Sequence, residues 1–110
     1  MRRSKVKTDL HIHTNFSDGA YTPEKIIDTA IDVGLDAIAL TDHDNILSYA
    51  VAQNYLKQLK NENKKTIEVL QGIEVNTIYK NCEIHILGYF MNPEDSDFKN
   101  LIKMRLQLLF

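Results

Sequence analysis

The sequence has one cysteine, Cys82, so no disulfide can close within the chain, and no neighbouring thiol or base marks Cys82 as a nucleophile. It is expected to be a passive strand residue. Long apolar runs are also missing: none approaches the roughly 18 residues needed to span a bilayer. The basic start, Met1-Arg2-Arg3-Ser4-Lys5-Val6-Lys7, leads into histidine-bearing sequence rather than an apolar signal core. The expectation is a cytoplasmic protein without a membrane partner. Nor is there an excess of one charge. A formal net charge of -2 gives no whole-chain electrostatic case for nucleic acid, and the basic amino terminus reads as a solvated end. No repeat, low-complexity tract or linker divides the 110 residues, of which 44% are hydrophobic and 25% charged. Residues 1–110 are therefore read as one domain around one core.

What is present is a regular alternation of strand and helix signals. A strand is expected from Val6 to His13 and a turn-rich loop from Thr14 to Tyr21, with Ser17-Asp18-Gly19 able to hold a carboxylate beside the strand end. Thr22-Pro23-Glu24 opens a helix with an N-cap, a proline at the first helical position and an acid favourable to the dipole. Ile27, Ala30 and Ile31 give that helix an apolar face, and Gly34 ends it. Asp36 to Thr41 is short and almost wholly apolar, the pattern of a parallel strand covered on both faces. A second helix is expected from near Asn45 to Asn61, burying Leu47, Val51, Tyr55 and Leu59. Ile67 to Ile78 and Cys82 to Phe90 read as a hairpin, and a last helix starts near Ser96. This order predicts an α/β layer with its site at or beyond the carboxyl ends of the strands.

Histidine is scarce, and its placement is informative. All four histidines fall near strand ends, in Asp9-Leu10-His11-Ile12-His13, Thr41-Asp42-His43-Asp44 and Glu83-Ile84-His85, and none lies in the polar stretch from Lys57 to Lys65. Residues two apart on a strand share a face, so Asp9, His11 and His13 are expected to point one way and Leu10 and Ile12 the other. Two imidazoles aimed at one point repel when protonated and leave lone pairs unsatisfied when neutral, a conflict that a divalent cation resolves. Glu74 lies within the apolar stretch Gly72-Ile73-Glu74-Val75, where an unpaired carboxylate is costly, and this favours a ligand over a core residue. Taken singly, several of these residues have plainer readings. Ser-Asp-Gly is a common turn, His43 can simply open a helix, and a lone His85 is an ordinary strand histidine.

Taken together, Asp9-Leu10-His11-Ile12-His13-Thr14 with Ser17-Asp18-Gly19, Leu40-Thr41-Asp42-His43-Asp44, Gly72-Ile73-Glu74-Val75 and His85-Ile86-Leu87-Gly88-Tyr89 resemble the amino-terminal part of the PHP (polymerase and histidinol phosphatase) family of metal-dependent phosphoesterases. The resemblance implies the first portion of a distorted (β/α)7 barrel with two or three divalent ions at its carboxyl end. It implies that His11, His13 and Glu74 hold one metal, that Glu74 bridges to a second contacted by His85, and that Asp18 and His43 hold a third. Asp9 and Asp42 would then orient the imidazoles or complete the strand-end network. Family members are considerably longer and supply a later histidine and an Asp-x-His pair. The expectation for residues 1–110 is thus an incomplete barrel and ligand set.

Mixed imidazole and carboxylate donors suit Mn, Fe or Zn. Such ions activate water and stabilise a leaving oxygen, so the expected reaction is hydrolysis of a small phosphate monoester or nucleotide, and no serine or cysteine nucleophile is needed. A close variant is the trimming of nucleic acid from an end. From a different class comes a non-catalytic metal-binding fragment or assembly module. Finally, Leu101, Ile102, Met104, Leu106, Leu108, Leu109 and Phe110 cover more than one face of the last helix, which predicts self-association through it.

Overall fold

The computed structural model describes residues 5–108, with side chains up to residue 104. The chain runs β1 (Thr8–Ile12), α1 (Pro23–Asp32), β2 (Ala37–Leu40), α2 (Leu47–Asn61), β3 (Glu68–Tyr79), β4 (Cys82–Tyr89) and α3 (Ser96–Leu108). The strands form one sheet in the order β1-β2-β3-β4. Pairing is parallel from β1 to β3 and antiparallel between β3 and β4. The parallel connections each carry a helix, as a crossover requires, whereas β3 and β4 need only a two-residue turn. Lys80 and Asn81 make it at φ 50 and 63, the positive values of a type I′ hairpin.

Local chemistry explains where α1 begins and ends. Thr22 Oγ1 accepts the Lys25 N–H at 3.2 Å and Pro23 takes the first helical position. At the far end Gly34 has φ 84, a value that carries no steric cost only without a Cβ. Ile27 and Ala30 of α1, Ile38 and Leu40 of β2, Ala52 and Leu59 of α2 and Val69 of β3 form the core between the helices and the sheet. Ala39 is also fully buried, so both faces of β2 are covered.

Three expectations need correction. The buried stripe of α2 is Ser48, Ala52 and Leu59, and Leu47 is 63% exposed. The Asn45 side chain accepts the Leu47 N–H at 3.1 Å, so Leu47 sits in the first turn facing outward and the inward stripe starts one residue later. Simple alternation also fails in β1. Asp9 pairs with Ile38 but Ile12 with Leu40, so β1 carries one extra residue, a bulge. β1 is an exposed edge strand in which Leu10 remains 39% exposed. Lastly, Glu74 and His85 lie in mid-strand rather than at strand ends. β2 pairs with β3 only as far as Gln71, and the hairpin continues past the parallel sheet with Asn76 opposite His85.

That extension gives the sheet its curl. β1 and β4 are opposite edges in strand order, yet the Tyr89 hydroxyl of β4 donates to the Leu10 carbonyl of β1 at 2.7 Å. The result is a mixed α/β half-barrel. In α3, Asp95 Oδ1 caps the helix by accepting the Phe98 N–H at 3.0 Å, and Phe98 is buried. Leu101 and Met104 are exposed. The side chains of Leu106, Leu108, Leu109 and Phe110 lie outside the described ones. No helix among the described residues is long and apolar enough to cross a membrane.

Candidate metal centre

The curl brings all four histidines into one chain of rings. Ring centroids are 5.2 Å apart for His11 and His13, 4.3 Å for His13 and His43, and 5.7 Å for His43 and His85. Glu74 stands among them, its side chain only 6% exposed. Its Oε1 lies 2.9 Å from His11 Nε2 and 2.8 Å from His13 Nε2. Its Oε2 lies 2.8 Å from His85 Nδ1. Loss of water works against the charge on Glu74, but the hydrogen bond from His11 and the nearby His11, His43 and His13 rings outweigh it and hold the carboxyl below its ordinary value.

A second group lies beside the first. Asp18 Oδ2 is 3.0 Å from His43 Nε2, and its Oδ1 is 2.9 Å from His13 Nδ1. Loss of water again opposes the charge, and the fields of His43 and His13 overcome it, lowering the Asp18 pKa. The His13 Nδ1 atom is buried, and despite its proximity to Asp18 it has no aligned hydrogen bond. His85 is held from both sides, with Nε2 at 2.9 Å from Glu83 Oε1. The Glu83 hydrogen bond, opposed by desolvation and reinforced by Glu74, raises the His85 pKa.

The donor set fits a divalent ion. His11 Nε2, His13 Nε2 and Glu74 Oε1 are 2.8, 2.9 and 3.2 Å apart. Donors about 2.1 Å from a shared ion would stand about 3.0 Å apart at octahedral angles and about 3.4 Å apart at tetrahedral ones. Two imidazole nitrogens facing one carboxylate oxygen, with a third nitrogen orphaned in the interior, are a set that a cation satisfies better than protons do. Each of the groups His11, His13, Glu74 and His13, Asp18, His43 has its ligand atoms within 4.8 Å of one another.

Main-chain geometry holds these side chains in place. The Asp42 carboxylate is fully buried and accepts three hydrogen bonds, from Thr14 N at 2.6 Å, Thr14 Oγ1 at 2.8 Å and Ser17 Oγ at 2.7 Å. It thereby pins the loop that carries Asp18 to the end of β2. Gly19 is needed for this: a Cβ there would stand 2.2 Å from the His13 carbonyl oxygen. Asp9 serves the main chain, accepting the His11 N–H at 3.2 Å. After β2, Asp44 adopts φ 56, an uncommon value that Asp tolerates. Its N–H reaches the Glu74 carbonyl at 3.0 Å and its carboxylate accepts the Asn76 N–H at 3.1 Å.

The structure thus gathers His11, His13, Asp18, His43, Glu74 and His85 into one region, with Asp42 as a loop anchor and Asp9 at the periphery. Two neighbours have no counterpart in the sequence reading: Asn76, whose Oδ1 is 3.0 Å from His43 Nδ1, and Glu83. Each lies two residues from a candidate on the same strand face, and that spacing is the only mark either carries in the sequence. An open pocket of about 520 Å³ adjoins them, lined among others by Phe16, Asp18, His43, Asn76, Glu83 and His85.

Comparison with known proteins accords with this geometry. The chain is 35% identical over 80 residues to the 5'-3' exoribonuclease Rnm of Escherichia coli, a match covering 73% of this chain and 26% of that protein. It is 34% identical over 87 residues to a 3',5'-nucleoside bisphosphate phosphatase of Chromobacterium violaceum, covering 79% and 28%. Among solved structures, a Chromobacterium violaceum protein described as an amidohydrolase, with bound sulfate and no metal, superposes with a TM-score of 0.76 at 31% identity, over 90% of this chain and 33% of that one. The chain spans between a quarter and a third of the length of these relatives. The PHP domain model matches residues 9–105, and with the histidine and carboxylate cluster assembled as described, the chain belongs to the PHP domain family.

Proposed function

We propose that this chain carries much of the ligand set of a metal-dependent phosphoesterase. His11, His13 and Glu74 hold one divalent ion, Glu74 and His85 serve a second, and Asp18 with His43 serve a third. The observation that carries the reading is the two-sided Glu74, with Oε1 facing His11 and His13 and Oε2 facing His85. Bound there, divalent ions supply Lewis acidity, bring the pKa of water toward neutrality and offset charge on a leaving oxygen. The remaining work belongs to the chain. Glu74 stays ionised among the rings, and Asp42 fixes the loop so that His13 and Asp18 keep their separation.

Mixed nitrogen and oxygen donors favour Mn, Fe or Zn. The substrate class is a phosphate monoester or nucleotide, a choice supported by the nucleoside bisphosphate phosphatase and by the relative that holds sulfate. Trimming of nucleic acid from an end is the second reading, supported by the exoribonuclease relative. The compartment that suits this reading is the cytoplasm. The test is hydrolysis of an aryl phosphate with added Mn, comparing residues 1–110 with an extended form carrying the family's later ligands. The extended form is expected to turn over at least about tenfold faster, the scale on which support of a metal site matters. Bound metal without turnover in either form would favour the non-catalytic reading and overturn this one.

A further inference from the structure

The pocket beside the metal centre has an uneven lining. At about 520 Å³ it falls within the range of roughly 300–1,000 Å³ typical of small-molecule sites. Its polar lining includes the carboxyl groups of Asp18, Asp44 and Glu83 and the rings of His43 and His85, with no lysine or arginine among the described residues. Phe16 is the one large apolar residue that lines it, and it is 39% exposed.

Both backbone groups of Phe16 are tied down. Its N–H donates to Thr14 Oγ1 at 3.0 Å, and that hydroxyl donates in turn to the buried Asp42 carboxylate. Its carbonyl accepts Asn45 Nδ2 at 3.0 Å, and the same amide reaches the His43 carbonyl at 3.1 Å. An aromatic ring on a backbone fixed at both ends offers a stacking surface at little ordering cost.

Asp18, His43 and His85 belong both to the pocket and to the proposed metal centre, so a phosphate ester held at that centre has this pocket as its neighbour. With carboxylates and no cation among its described lining, the pocket opposes a second phosphate, since like charges select against the wrong partner. Carboxylates accept hydrogens from hydroxyl and amino groups instead. An uncharged, flat, donor-bearing group suits the ring and the carboxylates together, and a nucleobase with its sugar has that chemistry. We infer that the pocket is the subsite for the nucleoside part of the substrate, and that Phe16 determines specificity there as the platform on which the base stacks. The inference deepens the phosphoesterase reading and rests on it for the placement of the phosphate, whereas stacking of an uncharged nucleoside needs no metal.

The test uses the metal-free chain and adenosine, which carries no phosphate. The sequence has no tryptophan, so Phe16→Trp places an indole fluorophore at this position alone. Adenosine is expected to quench it saturably and ribose to leave it unchanged. In titrations followed by amide NMR, Phe16→Ala should weaken adenosine binding about five- to a hundredfold, the scale for loss of one base–aromatic stack, and Phe16→Tyr should retain it. The same spectra check the fold of each variant. With Mn present, adenosine 5'-monophosphate and a 5'-phosphorylated hexa-adenylate distinguish a free nucleotide from a nucleic-acid end as the source of the base, by which of them quenches at the lower concentration. Absence of saturable quenching in the metal-free chain, or equal adenosine affinity in the wild-type chain and Phe16→Ala, would overturn the inference, whether or not the chain hydrolyses an aryl phosphate. Adenosine binding that depends on Phe16 in a chain with no affinity for Mn would instead remove the phosphoesterase reading and leave the platform standing.

Discussion

At the scale of single residues, the candidate site was legible where residue type was scarce and illegible where it was common. Four histidines in 110 residues, none of them in the polar stretch from Lys57 to Lys65, carry their own signal, and so does a carboxylate in the apolar run around Glu74. Asn76 and Glu83 carry none, because a polar residue on a hairpin acquires a role only once the register sets Asn76 opposite His85. By the family resemblance Asp42 serves the rings or the strand-end network, and the bonds it makes are to the loop at Thr14 and Ser17. The residue chemistry also fixes a pH dependence. Metal ligation requires neutral rings, so affinity for Mn should weaken as pH falls through about 6.5. Glu83 and Glu74 raise the His85 pKa. The protonated ring thus stabilises the metal-free fold below the ordinary imidazole value, and that contribution is lost as pH rises through the raised one. Proton competition at His85 should accordingly persist to higher pH. Titrations at several pH values check this, and a flat affinity between about pH 5.5 and 8 would exclude imidazole ligands.

At the scale of elements, capping and turn chemistry placed α1 and the hairpin within a residue or two, because Thr22-Pro23, Gly34 and the alternating runs act locally. Tertiary features escaped. The bulge in β1 depends on the pairing of Asp9 and Ile12 with β2, and the inward stripe of α2 depends on Asn45 setting its first turn. The loop between β1 and α1 is the element on which the site most depends. It is packed so closely against β1 that Gly19→Ala must displace it from the His13 carbonyl. The expected cost is about 1–3 kcal/mol in stability, as for other overpacked sites, together with weaker Mn binding, since Asp18 moves with the loop. Thermal melts and Mn titrations of the variant measure both, and wild-type values in the two assays would show that the loop is not held as described.

At the scale of the whole molecule, the alternating elements mark an α/β layer, while the curl into a half-barrel was legible only through the family resemblance, because the contact between Tyr89 and Leu10 joins residues far apart in sequence. The described surface leaves Ile86 55%, Phe90 71% and Met104 59% exposed. A chain of these residues is expected to self-associate, and Leu101→Glu with Met104→Glu should shift it toward monomer in light scattering. A monomeric unmodified chain would contradict that. The central claim is that His11, His13 and Glu74 converge to hold a metal. Its most direct test is the divalent metal retained after equilibration with Mn and gel filtration, compared between the wild-type chain and the His11→Ala, His13→Ala double variant. The account predicts bound metal in the first and its loss in the second; equal metal in both would contradict it.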